Sequence, residues 1–173
     1  MARNIEIKAK LSEEKYAQIE SLARKIGRGP ETLIQLDTFF NTHDGRLKIR
    51  EFTGQKAELI SYSRNDIAQP RICNYQRFEI DQPAELKSML EKSVGIQCVV
   101  EKTRTLYLID QARIHLDDVK HLGLFLEIEV VLHPDQLEEI GQEIMHSLLE
   151  QFHLGPDHFE STAYADMILD KQK

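Results

Sequence analysis

From residue 3 to residue 10 the chain reads RNIEIKAK, with Ile5 and Ile7 set between Asn4, Glu6 and Lys8. A period of two sends successive side chains to opposite faces, so this stretch predicts a β-strand with one apolar and one polar side. The period then changes. Ser12, followed by Glu13 and Glu14, signals a helix start, and Tyr16, Ile19, Ala23 and Ile26 share one helical face before Gly27 ends the run. Strand patterns return at residues 32–41 (TLIQLDTFFN), 46–52 (RLKIREF), 57–64 (AELISYSR) and 71–80 (RICNYQRFEI), with THDG and TGQK as the turns between the first three. Pro83 opens a short helix that closes at Gly95. Three more strands, near 97–109, 112–119 and 124–132, are joined by connections short enough to make them antiparallel neighbours. A helix from Pro134 is expected to turn Leu137, Ile140, Ile144, Leu148 and Phe152 inward. The segment STAYADMILDK, residues 161–171, is expected to form a last helix docked on the surface.

These elements predict one α+β domain spanning residues 1–173, dominated by a curved and mostly antiparallel sheet. Eight strands suffice to close a barrel around a cavity, although alternation does not by itself establish closure. The polar faces carry more information. One strand offers Asn4, Glu6 and Lys8, another Arg46, Lys48 and Arg50, and a third ends with Tyr62 and Arg64. Lys102 and Arg104 share a parity, as do Arg113, His115 and Asp117, while Glu127 and Glu129 alternate with Leu126, Ile128 and Val130. A sheet face in water is free to be charged, which explains any one strand. It explains the set less well, because a wet face usually dilutes its charges with Thr, Ser and Gln. If the sheet curls, these groups line a lumen, where each charge needs a partner.

Composition narrows the partners. A formal net charge of −7 and a 29% share of charged residues describe a folded acidic protein. A broad nucleic-acid surface is disfavoured, because such binding neutralises many phosphates at once. No apolar run is long enough to span a bilayer and MARNIEIKAKL lacks a secretory core, so the expectation is no membrane and a cytoplasmic location. Cys73 and Cys98 lack metal-ligand spacing and read as reduced packing residues. Neither GxxxxGK[ST] nor GxGxxG occurs, so an anion must be gripped by side chains. Arg forks suit phosphate oxygens, Lys adds point charge, and Mg²⁺ takes one or two carboxylates together with substrate phosphate.

NIEIK at 4–8, QLDTFF at 35–40, GRLKIRE at 45–51, LISYSR at 59–64, EKTR at 101–104, RIHLDDV at 113–119 and FLEIE at 125–129 together resemble the CYTH superfamily, the triphosphate tunnel metalloenzymes. YADMIL near the C-terminus fits too, and the wording is nearer to the class IV adenylyl cyclase-like branch than to the mammalian thiamine triphosphatases. The resemblance implies an eight-stranded antiparallel β-barrel, a tunnel with helices packed outside, that binds a triphosphate with Mg²⁺ or Mn²⁺. By position it makes Glu6, Asp117, Glu127 and Glu129 the metal ligands. Lys8, Arg46, Lys48, Arg50, Arg64, Lys102, Arg104 and Arg113 become phosphate contacts, with Lys8 and Arg50 as catalytic candidates. Asn4 stands where the family's ExExK motif has its first acid, and an amide oxygen coordinates without supplying charge.

The implied reaction is metal-dependent hydrolysis of a nucleoside, inorganic or thiamine triphosphate. The alternatives are conversion of ATP to cyclic AMP and pyrophosphate, or binding of polyphosphate or nucleotide without turnover. His115 is a candidate general base; the other histidines lie in loops or on the late helix without ligand spacing. Asp37 orders the tunnel or pairs with a nearby Arg, and Phe39 and Phe40 read as core. A homodimer is the ordinary prior for such an enzyme.

Overall fold

The computed structural model describes every residue, Met1–Lys173. Its strands are β1 (Ala2–Lys10), β2 (Arg28–Phe40), β3 (Arg46–Phe52), β4 (Gln55–Arg64), β5 (Arg71–Ile80), β6 (Ile96–Ile109), β7 (Ala112–Val119) and β8 (Gly123–Val131). The helices are α1 (Glu13–Ile26), α2 (Pro83–Ser93), α3 (Glu138–Gln151) and α4 (Tyr164–Lys171). The strands close into a barrel in the order β1-β5-β4-β3-β2-β6-β7-β8. Every pairing is antiparallel. The expected α+β tunnel with external helices is therefore the fold. No helix is long and apolar enough to cross a membrane.

The tight turns keep neighbouring strands in register. Gly45 takes φ +64°, and a Cβ there would lie 2.9 Å from the Tyr62 carbonyl oxygen, so both conformation and space favour glycine. Asp44 Oδ1 accepts from the Gly45 N–H at 2.9 Å within the same turn.

Outward-facing apolar residues from β1, β7 and β8 form the main core with α1 and α3. Ile5, Ile7, Ile114, Leu116, Leu126 and Ile128 pack there against Ile19, Ala23, Met145 and Leu148. Ser12 caps α1, its hydroxyl oxygen accepting from Lys15 N–H at 3.2 Å. The opposite wall is thinly covered: Thr38 and Ile49 are buried there, but Ile34 is 56% and Phe78 64% exposed, and α2 buries no residue of its own.

Three expectations need correction. β2 begins at Arg28, not near residue 32, because an irregular register between Arg28 and Glu31 lets it continue along the long β6. Pro134 does not start α3. The Gln136 side chain ties down a turn, accepting from His133 N–H at 3.0 Å and from Gln111 Nε2 at 2.8 Å. The helix therefore starts at Glu138, leaving Leu137 65% exposed and Ile140 42% exposed, while Gly141, Met145, Leu148 and Leu149 face the barrel. α4 does not lie on the outer surface either. Phe39, Cys98, Val100, Val119 and Phe125, all on the lumen parity, make one end of the bore apolar, and Tyr164, Ala165 and Ile168 pack against them.

A Cβ on Gly141 would meet Leu132 Cδ2 at 2.6 Å and Ile5 Cγ1 at 2.8 Å. Gly141→Val is expected to lower stability by about 2 kcal/mol through overpacking. A urea midpoint equal to that of the parent would show that α3 is not seated on Ile5 and Leu132.

Candidate functional site

Lumen-facing positions of all eight strands line a cavity of about 310 Å³, within the range of small-molecule sites. β1 supplies Asn4, Glu6 and Lys8, β3 Lys48 and Arg50, β6 Lys102 and Arg104, and β8 Glu127 and Glu129. Gln35 and Asp37 come from β2, Tyr62 and Arg64 from β4, Cys73 from β5, and Arg113 and His115 from β7. Tyr164 enters from the first turn of α4. The two-residue period places these side chains inside, and on β1, β7 and β8 the alternating Ile and Leu residues are drawn to α1 and α3.

Opposite charges meet in discrete groups. Arg50 clasps Asp37 through Nε and Nη2, each 2.7 Å from a carboxylate oxygen, and Lys48 Nζ adds a third contact at 2.7 Å. Arg104 holds Asp117 by the same two-pronged grip at 2.7 Å per bond, and Tyr164 Oη donates to Asp117 Oδ2 at 2.9 Å. Glu127 accepts from Arg104 at 2.6 Å and lies 3.3 Å from Lys8 Nζ. Glu6 pairs with Arg64 at 2.8 Å and Arg71 at 3.3 Å. Glu129 lies 3.4 Å from Arg113 and 3.8 Å from His115 Nδ1. Lys8 Nζ also sits 3.8 Å from the centre of the Tyr164 ring and donates to Thr162 O at 3.1 Å.

Burial acts on several of these groups, and the sign of the result tells which are well partnered. Burial alone would raise the Asp37 carboxyl, but Arg50 and Lys48 hold it well below the usual carboxylate range. Asp117 goes the same way under Arg104 and Lys102, as does Glu127 under Lys8 and Arg104. Glu129 is the exception: burial raises it, and Arg104 and Arg113 do not bring it back. Lys8 and Lys102 are lowered by burial first. Lys48 falls to about 7, through burial and then the repulsion of Arg50. His115 is held well below its ordinary value by burial and Arg104, so its imidazole is neutral. The walls thus carry cations that an added polyanion would stabilise.

Of the predicted phosphate contacts, Lys8, Lys48, Arg50, Arg64, Lys102, Arg104 and Arg113 line the cavity. Arg46 does not. Its guanidinium bonds Asp66 at 2.9 Å and Asp166 at 2.7 Å, tying β3 to the segment after β4 and to α4. Of the predicted metal ligands, Glu6, Glu127 and Glu129 face the cavity, but Asp117 does not. It lies opposite Arg104 in the β6–β7 register, is 0% exposed, and spends both oxygens on Arg104 and Tyr164. In this structure the Asp117 carboxylate is the hydrogen-bond partner of Arg104. Sequence reasoning missed Arg71 and Tyr164. Arg71 opens its strand on the lumen parity but precedes Cys73 and Tyr75, so no run of charge marks it; Tyr164 follows no strand period.

Glu6 lies opposite Glu129 in the β1–β8 register. Ligand atoms of His115, Glu127 and Glu129 all fall within 4.8 Å of one another. His115 Nδ1 and Asn4 Oδ1 are buried without a hydrogen-bond partner. Two carboxylates beside the orphaned His115 nitrogen fit a divalent cation, since buried polar atoms ordinarily find partners.

Comparisons with known proteins agree with this fold. The CYTH domain family model matches residues 2–164. A Methanocaldococcus jannaschii protein provisionally named an adenylate cyclase is 24% identical, over 94% of this chain and 97% of its own length. Among solved structures, the PH1012 protein of Pyrococcus horikoshii superposes with a TM-score of 0.82 at 22% identity, covering 94% of this chain and 98% of that one. A Hippeastrum protein, described as an adenylyl cyclase candidate with a dominant triphosphatase activity, superposes with a TM-score of 0.68 at 17% identity, over 100% and 97% of the two chains. With a family match across nearly its whole length and a closed eight-stranded bore of paired charges, the chain belongs to the CYTH domain family.

Proposed function

We propose that this protein is a divalent-metal-dependent hydrolase of a triphosphate bound inside the barrel. The observation that carries the reading is one cavity walled by both signs of charge: Lys48, Arg50, Lys102 and Arg104 on β3 and β6, and Glu6, Glu127 and Glu129 on β1 and β8. A linked chain of phosphates takes over as counterion to the first set, with Arg50 and Arg104 already oriented by Asp37 and Asp117 to present their remaining N–H groups. Lys8 and Arg50 are the proposed catalytic cations. Lys8 is buried between Glu127 and the Tyr164 ring, so its charge is fixed in place before substrate arrives. Glu127 and Glu129, with Glu6 beside them, are proposed to hold Mg²⁺ or Mn²⁺, which when bound would neutralise charge at the reacting phosphorus. The Hippeastrum relative's triphosphatase description supports hydrolysis over cyclisation.

A cyclase reading has one observation in its favour. Leu33, Phe52 and Leu106 line the same cavity beyond the cations, an apolar surface that inorganic triphosphate does not need. One assay separates the readings: incubation with Mg²⁺ or Mn²⁺ and ATP, tripolyphosphate or thiamine triphosphate in turn, with products identified. Orthophosphate release supports the hydrolase, cyclic AMP with pyrophosphate replaces it by the cyclase, and tight binding with no turnover reduces the site to a binding module.

The titration of Lys48 near 7 gives a pH prediction. Lys48 must be protonated to hold a phosphate, yet above pH 7 the free protein increasingly lacks that proton, so binding must take one up. Affinity for tripolyphosphate should fall by up to about tenfold per pH unit between pH 7 and 9. Lys48→Arg, charged throughout, should flatten the fall. Calorimetry in buffers of different ionisation enthalpy measures the proton uptake, and identical slopes for both proteins would sink the prediction.

A further inference from the structure

His115 occupies a place that the phosphate grip does not explain. It projects from β7 into the cavity, between Glu127, its partner in the β7–β8 register, and Glu129, whose Oε1 lies 3.8 Å from Nδ1. The side chain is 5% exposed. Nδ1 makes no hydrogen bond, although a buried polar nitrogen ordinarily finds one. At 3.8 Å the carboxylate is too far to accept from it and close enough to share an ion with it. The carboxylates on either side of His115 supply the other donors, all ligand atoms within 4.8 Å of one another.

We infer that His115 is a nitrogen ligand to the divalent ion of this bore, completing a mixed set with Glu127 and Glu129 that selects Mn²⁺ over Mg²⁺. The inference rests on the triphosphate reading above, because Arg104 and Lys8, which contact Glu127, are the cations a bound phosphate would engage beside the ion. The chemistry of the choice is general. Mg²⁺ demands a near-octahedral shell of hard oxygen donors and sheds water reluctantly. Later first-row ions accept imidazole as well as carboxylate, and the affinity of a mixed site rises along that series. Three oxygens alone would leave the two ions closely matched; one imidazole tips the balance.

The test uses the full chain loaded with Mn²⁺, without and with the non-hydrolysable adenylyl imidodiphosphate. Electron spin-echo modulation reports directly whether a histidine nitrogen is bound to the ion, independently of turnover. The expected result is a ¹⁴N modulation in the parent that changes on ¹⁵N-histidine labelling and vanishes in His115→Gln. Competition dialysis should show Mn²⁺ affinity falling about tenfold or more in that variant, with Mg²⁺ affinity changed less than about twofold, its oxygen ligands being untouched. Mn²⁺ bound in the parent with no histidine modulation overturns the inference and leaves the triphosphate site standing. Failure of the parent to bind Mn²⁺ under either condition overturns the inference and the metal-dependent function together. Since the labelled parent decides the question alone, a His115→Gln chain that fails to fold does not rescue it.

Discussion

Glu129→Gln is expected to cut metal-dependent triphosphate turnover by at least about a hundredfold without lowering the melting temperature. The two halves of that result have separate causes. Glu129 faces Glu6 across β1 and β8 and lies beside His115, so the amide removes charge where the cation is proposed to sit. Its folded carboxyl is raised by burial above its ordinary value. A raised group lends stability at low pH and loses it as pH climbs through the folded value, so at neutral pH the ionised form is the costly one. A neutral isostere escapes that cost. Turnover and thermal melts on one preparation decide the matter: equal losses of activity and stability would make Glu129 a strut of the barrel instead of a ligand.

Asp117→Ala should do the reverse damage, lowering stability by about 3 kcal/mol because Arg104 and Lys102 remain buried without their main counterion. For a chain of this length the melting temperature would drop by roughly 6–12 °C. Two further readings identify the cause. Asp117 is depressed below its ordinary value, so its contribution is present above the unfolded carboxyl range and is lost as pH falls. The acid side of the stability profile should therefore be flatter in the variant. Tripolyphosphate should also raise the melting temperature of Asp117→Ala more than that of the parent, by supplying the missing negative charge. A variant as stable as the parent at pH 7 would mean that Glu127 alone suffices to neutralise Arg104.

The alternation of ionisable residues was readable because strand parity is a local property. Arg46, Lys48 and Arg50 do share a side. What parity does not carry is the level of a side chain along the bore. Arg46 belongs to the same run as Lys48, yet sits at the rim, where Asp66 and Asp166 take it. Asp117 shares the parity of Arg113 and His115, but its register opposite Arg104 consumes it. Strand order was equally hidden. β5 lies between β1 and β4, which places Arg71 against Glu6 over a long sequence separation, and nothing in RICNYQRFEI announces that neighbour. The C-terminal segment fits a helix, but Tyr164 gains its place under Lys8 and beside Asp117 only from the apolar stopper formed by Phe39, Val100 and Phe125. Family resemblance reached further because it carries levels and order together.

β1 is flanked by β5 on one side and by β8, residues 123–131, on the other. During synthesis at ordinary rates the first strand must wait roughly 6–24 seconds for its second neighbour to be made. Until then the emerging sheet has two unpaired edges, the sort of surface on which chains stick to one another. Glu6 and Lys8 ride on that waiting strand, so the ribosome releases one side of the cage's seam long before the other, and a stall between Arg113 and Val131 yields a chain with every cation of the cavity made and no enclosure to hold them.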